Sequence, residues 1–157
     1  MSNISNTDDI IDLRAVSERI EELEESLQQA HVSTTDGPAA YSNLEFDDWI
    51  EAVRADFSAA HAHECLEEAD ELAKLQALME DLKGRGGDHD WRGDWYPLLL
   101  IRDSHFQDYA QELAEDIGAV NRDESWPHNC IDWEEAAAQL RVDYTAVEFN
   151  GVTYWCR

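Results

Sequence analysis

Positive charge is scarce in this chain: of 157 residues only 11 are Lys or Arg, against 36 Asp or Glu, for a formal net charge of -25. Such a balance exceeds what solubility requires, costs the folded state self-repulsion, and excludes direct binding to nucleic acid through a broad basic face. Cysteine is also sparse. Cys65, Cys130 and Cys156 are an odd count without regular spacing, so no disulfide framework is expected and a reducing compartment is the simpler reading. No apolar run approaches the roughly 18 residues of a membrane span, and no basic stretch followed by an apolar core opens the chain, so the expected location is the host cytoplasm. P-loop, EF-hand and dinucleotide fingerprints are all absent, and no cofactor, metal or enzymatic activity is expected.

The acids are not gathered in a tail. Residues 1–43 hold 9 acidic and 2 basic side chains, residues 44–83 hold 12 and 3, and residues 84–157 hold 15 and 6. Six Trp, five Tyr and four Phe in the same chain point to packed structure, because disordered acidic segments are poor in aromatics. No internal repeat or low-complexity tract is evident.

Residues 1–7 read as a frayed start. Helical periodicity follows through Ile10, Leu13, Val16, Ile20, Leu23, Leu27 and Ala30, an a/d seam of nearly three heptads that wants a partner helix. His31–Asn43, with Asp36-Gly37-Pro38, reads as a reversing loop, and Ser42 with Glu45 as a capping box. A second helix carries Phe46, Ile50, Val53, Phe57 and Ala60, loses register around 61–64, and resumes at Cys65, Ala69, Leu72, Leu75, Met79 and Leu82 before Lys83-Gly84 stops it. If continuous, it measures about 58 Å against about 34 Å for the first. The mismatch leaves the seam from Leu72 to Leu82 for the C-terminal unit or a second copy, and favours a homodimer. A glycine-rich joint is expected at 84–90, so the acidic helical hairpin occupies 8–83 and a small α+β domain 91–157.

In that last part Trp95, Tyr96 and Leu98 to Ile101 look like an entry strand. Ser104, three residues before Gln107, caps a helix of about four turns carrying Phe106, Ala110, Leu113 and Ile117 inward until Gly118 ends it. Asp132 and Glu135 start another, with Trp133, Ala136, Ala137 and Leu140 facing in and an end near Val142. Asn150-Gly151 suits a type I′ hairpin placing Val147, Phe149, Val152 and Tyr154 on one apolar side. The expected fold is therefore α+β: an N-terminal antiparallel, coiled-coil-like helical hairpin followed by a small C-terminal α+β unit with a β-hairpin.

The run Tyr-Ala-Gln-Glu-Leu-Ala-Glu-Asp-Ile-Gly (109–118), then Ile-Asp-Trp-Glu-Glu-Ala-Ala-Ala-Gln-Leu (131–140) and a strand pair closing on an aromatic, resembles the C-terminal part of the ArdA-type antirestriction proteins over about residues 101–157. The resemblance implies an acidic DNA mimic, carried by phages or mobile elements, that occupies the DNA groove of type I restriction and modification enzymes. The helical pair in front departs from the small α/β modules of that family, which leaves an RNA-guided CRISPR-Cas complex open as the target.

Several clusters invite other readings. His61, His63, Glu64 and Cys65 suggest a metal, but His61 and His63 do not share a helical face, and a register break explains them better. His128 and Cys130 are neighbours two apart in a loop, too little for a nucleophile pair. Trp91 and Trp95 read as core before partner contact.

A mimic needs carboxylates at intervals comparable with phosphates, and helix positions four apart rise about 6 Å. The candidates are Glu18, Glu21, Glu22 and Glu25 on the first helix, Asp47, Asp48 and Glu51 on the second, then Glu67, Asp70 and Glu71, and finally Asp108, Glu112, Glu115 and Asp116. The expected partner is the DNA-binding groove of a host defence complex, met without nucleic acid or membrane. The rival is a coiled-coil adaptor using the apolar seam at Leu72, Leu75 and Met79, with the acids merely keeping it soluble.

Overall fold

The computed structural model describes residues 4–34, 44–55, 62–121 and 125–157. The expected capping box at Ser42 and the register break around His61 fall at least partly outside these residues. The chain forms two compact units, one built from residues 1–15 and 81–157, the other from 16–80. The α+β class read from the sequence is the class observed.

In the first unit, β1 (Ile10–Asp12), β4 (Leu99–Arg102), β6 (Val152–Cys156) and β5 (Thr145–Phe149) form one antiparallel sheet in that order. A separate hairpin joins β2 (His89–Trp91) to β3 (Asp94–Tyr96). The β5–β6 hairpin has the expected register, with Phe149 opposite Val152 and Val147 opposite Tyr154. Asn150 and Gly151 lie at φ 49° and 77°, the left-handed pair that a type I′ turn demands. Val147, Phe149 and Tyr154 are buried on the shared side. Trp155 points the other way, toward Ile101 and the helices α4 (Phe106–Asp116) and α5 (Trp133–Arg141), where Phe106, Ala110 and Ala137 form a core with Tyr109, Leu140 and Tyr144 around it.

Several local expectations fail here, each for a physical reason. Ile10 does not start the first helix; it pairs in β1 with Ile101 and is 38% exposed, while Ile11 beside it is buried. The backbone amide of Arg102 bonding to Asp9 and the Tyr154 hydroxyl bonding to the Asp8 carbonyl at 2.8 Å hold this segment extended. Ser104 does not cap α4. It sits in a 3-10 turn, Asp103–His105, and α4 starts at Phe106 without a side-chain cap. The indole of Trp155 donates to Asp103 at 2.8 Å, which fixes that turn. Because α4 ends at Asp116, Ile117 lies beyond the helix and is exposed. Asp132 does cap α5, accepting from the Glu135 amide at 3.1 Å.

The entry strand expected from Trp95 to Ile101 is two elements, because Arg92 and Gly93, at φ 53° and 83°, turn the chain into the β2–β3 hairpin before Pro97. Residues 84–88 are tied to β3: Gly84 donates to the Trp95 carbonyl at 2.8 Å and Asp88 to that of Tyr96. A Cβ on Gly86 would run into the backbone of Tyr96 and Pro97, so a side chain has no room there.

The second unit holds most of α1 (Leu13–Thr34), all of α2 (Phe46–Ala55) and most of α3 (Ala62–Leu82). The a/d residues Val16, Ile20, Leu23 and Leu27 of α1 are buried, as are Ala69, Leu72, Leu75 and Met79 of α3. In α2 the inward pair is Trp49 and Val53, where periodicity points to Phe46, Ile50 and Val53. His31 is helical, its ring bonded to the Leu44 carbonyl at 2.9 Å and set against Phe46 and Trp49.

Candidate acidic binding surface

Helical spacing sets Glu18, Glu22 and Glu25 along one face of α1 with Glu21 beside them, and all four are exposed. Asp47, Asp48 and Glu51 are exposed on α2, the first two in its opening turn, where the helix dipole favours anions. Glu67 is exposed on α3, and Asp70 and Glu71 beside it are half-buried. The structure therefore brings ten of the proposed carboxylates onto the three helices of one unit.

Their roles there are unequal. The Arg19 guanidinium meets Glu71 in a two-point fork, Nε and Nη2 each donating at 2.9 Å, and reaches Glu22 through Nη1 at 3.2 Å. The hydrogen bonds to Glu71, outweighing partial burial, hold Arg19 more firmly protonated than an ordinary arginine. Asp70 accepts from Arg54 at 3.0 Å, with Lys74 at 3.7 Å. Glu71 and Asp70 thus spend their charge between helices, joining α1 and α2 to α3. Sequence reading missed Glu68, bonded to Ser26, and Glu24, bonded to Gln76, which strengthen the same seam. By contrast Glu18, Glu25, Asp47, Asp48, Glu51 and Glu67 make no ion pair among the described residues.

The remaining four candidates lie on α4, in the other unit. Asp108 stands 3.8 Å from His105, whose ring also approaches Asp9 at 3.9 Å. Glu115 is half-buried against His128 at 3.5 Å and accepts from Gln111. Glu112 and Asp116 are exposed and in no ion pair among the described residues. The last turn of α4 contains no basic residue, so its carboxylates oppose the helix dipole. Glu115 is partnered by His128 and Gln111, but for Glu112 and Asp116 no ion pair among the described residues offsets that opposition.

Elsewhere the cations are largely consumed locally. Arg14 pairs with Asp12 at 2.6 Å, Lys83 with Asp94 at 2.9 Å, Arg141 with Asp103 at 3.8 Å and Arg102 with Asp9 at 4.0 Å. The short hydrogen bond from Arg14 holds the Asp12 carboxyl below the usual aspartate range. With basic residues so few and so engaged, the surface field is set by carboxylates.

The alternative sites offer less. His128 turns to Gln111 and Glu115, and the Cys130 thiol to Asn129, so the two do not form a couple. Residue 61 and the side chains of 62–64 lie outside the described residues, which leaves the His61, His63, Glu64 and Cys65 cluster without a structural reading. Among the described residues no three metal-ligating side chains gather, no disulfide joins Cys65, Cys130 and Cys156, and no helix is long and apolar enough to cross a membrane. A cavity of about 220 Å³ opens between Asp88, Leu98, Leu99, Ile101, Tyr109, Tyr144 and Arg157. Burial first, and then the 3.1 Å hydrogen bond with Tyr144, push the Tyr109 hydroxyl well above the usual tyrosine range. That hydroxyl stays a neutral hydrogen-bonding group and is no base.

The model of one protein family, described as antirestriction protein (ArdA), matches residues 1–153. The match takes in the helical unit as well as the last third of the chain, where the residue pattern first showed the likeness. No curated protein and no solved structure matches this chain.

Proposed function

This chain belongs to the antirestriction protein (ArdA) family, and on that premise we propose that its carboxylates stand in for DNA phosphates on the DNA-binding surface of a type I restriction–modification complex. The observation that carries this reading is the α1 face, where Glu18, Glu21, Glu22 and Glu25 are all exposed. From the first to the last the helix rises about 10 Å, close to the span of about four successive phosphates on one DNA strand. Asp47, Asp48, Glu51 and Glu67 are further exposed carboxylates of the same unit, and Glu112 and Asp116 on α4 are candidates of the other unit in their own right. Asp70 and Glu71 serve first as inter-helix ties, and their contribution to the partner is smaller.

Membership in the family favours restriction enzymes over RNA-guided nucleases as the target. The adaptor reading loses its surface, since Leu72, Leu75 and Met79 are buried within the single chain. Polar substitutions there would unfold the protein before they tested any partner.

The deciding experiment is competition. A purified type I complex holding labelled target DNA is titrated with the protein at low and moderate salt. Displacement near one-to-one stoichiometry, weakening by an order of magnitude or more as salt rises, is the expected result. Binding that leaves the DNA in place would overturn mimicry. Reversing Glu18, Glu21, Glu22 and Glu25 to Lys should abolish displacement while helicity measured by circular dichroism persists, and undiminished displacement would count against these residues.

A further inference from the structure

A charged surface attracts a partner, but tight interfaces are anchored by a few desolvated aromatic or arginine contacts. The β2–β3 hairpin presents such an anchor. Its strands alternate faces, so His89, Trp91, Asp94 and the buried Tyr96 share the inner side, while Asp90 and Trp95 sit directly opposite one another on the outer side. Trp95 is 52% exposed, and Asp90 is exposed and in no ion pair among the described residues.

The side chains of Asp90 and Trp95 take no part in the hydrogen bonds and ion pairs that tie the hairpin among the described residues. The backbone is fixed by the type I′ turn at Arg92-Gly93, by Gly84 bonding to the Trp95 carbonyl at 2.8 Å, and by the Lys83–Asp94 pair at 2.9 Å. An indole with a carboxylate across the strand, at the roughly 5 Å of opposed Cβ atoms, is therefore held open on a rigid ribbon. The chain already shows what such a ring accepts. On the inner side the Arg92 guanidinium lies 4.3 Å from the centre of the Trp91 ring.

We propose that Trp95 and Asp90 form a receptor for an arginine of the partner, the indole taking the flat guanidinium face and the carboxylate its N–H edge. The proposal rests on the reading above, in that the partner surface is one that handles DNA phosphates and so presents arginines. Charge complementarity with a chain of net charge -25 selects a cation as the occupant. The stacking plane and the carboxylate together select guanidinium over ammonium.

The test measures affinity for the type I complex directly, alongside DNA displacement, for wild type, Trp95→Leu, Trp95→Tyr, Asp90→Asn and the Trp95→Leu/Asp90→Asn double variant. Leucine keeps apolar area and removes the π face. Trp95→Leu is expected to bind about tenfold more weakly, with Trp95→Tyr in between. Asp90→Asn also weakens binding, and the double variant loses less than the product of the two single losses, because both groups hold one guanidinium. Trp95→Leu binding as wild type does, or single losses that multiply, would overturn the proposal. Thermal midpoints check folding, and should Trp95→Leu fail that check, Trp95→Tyr and Asp90→Asn carry the decision. Wild type that binds without displacing DNA defeats mimicry alone, since the affinities still judge the hairpin.

Discussion

Glu71 and Glu18 carry the same charge in different settings, the first bridged to Arg19 and the second exposed. Glu71 closes a two-point bridge with Arg19 across two helices, both side chains largely shielded at 16% and 25% exposure. Glu71→Gln should therefore cost about 1–2 kcal/mol in chemical denaturation, whereas Glu18→Gln should leave stability unchanged and weaken DNA displacement. Asp116 gives the converse case, an exposed anion at the C-terminal end of α4. Asp116→Asn should raise the thermal midpoint slightly while reducing inhibition. A variant that improved both would remove α4 from the binding surface. That the candidate acids lie on helices was legible in the sequence, from composition and helical spacing. Which of them are spent internally was not, because Arg19 and Glu71 lie 52 residues apart and only folding brings them together.

Among the elements, the Asp132 cap of α5, the Asn150-Gly151 turn and the a/d seams of α1 from Leu13 and of α3 from Ala69 were legible locally, whereas the equally complete signal of Ser104 with Gln107 lost to a 3-10 turn that Trp155 holds from the far end of the chain. Three-residue strands have no such signal. β1 exists because Ile10, Ile11 and Asp12 find Ile101, Leu100 and Leu99 almost ninety positions away, and no periodicity can register a strand that short. The β2–β3 hairpin had a cue in Arg92-Gly93 between aromatics, a two-residue loop that only its φ values make plain. The sheet and its helices also share a sensitivity to alkali. Tyr109, Tyr154 and Cys156 all have ionisations pushed upward, burial being the leading cause in each. For a group raised on folding, the stabilisation is whole below the unfolded value, about 10 for tyrosine and 8.5 for cysteine, and is lost as pH climbs through the folded one. Thermal midpoints should hold from pH 7 to about 8 and fall steadily above that. Tyr109→Phe should soften the decline above pH 10, and an unchanged decline would place the sensitivity in the other two groups.

Over the whole molecule, salt acts in two opposite directions. A net charge of -25 repels itself, so added salt screens the folded chain and should raise its thermal midpoint. The same screening weakens attraction to a cationic partner, so affinity should fall over the range in which stability grows. A parallel loss of both would mean that salt unfolds the inhibitor and that the field is not what binds. Composition alone made this field legible; its division between two units was not, because the first is assembled from both sides of the second, residues 1–15 joining 81–157. The helical unit is in effect a cassette spliced into a sheet protein between β1 and the rest of the sheet. Replacing residues 16–80 with a short linker should leave all four strands of that sheet present, whereas a fragment beginning at residue 81 lacks β1 and bares the edge of β4, inviting edge-to-edge aggregation. Should the linker-bearing chain fold, the segment carrying ten of the candidate carboxylates is one that sequence change can remodel while the sheet keeps its strands.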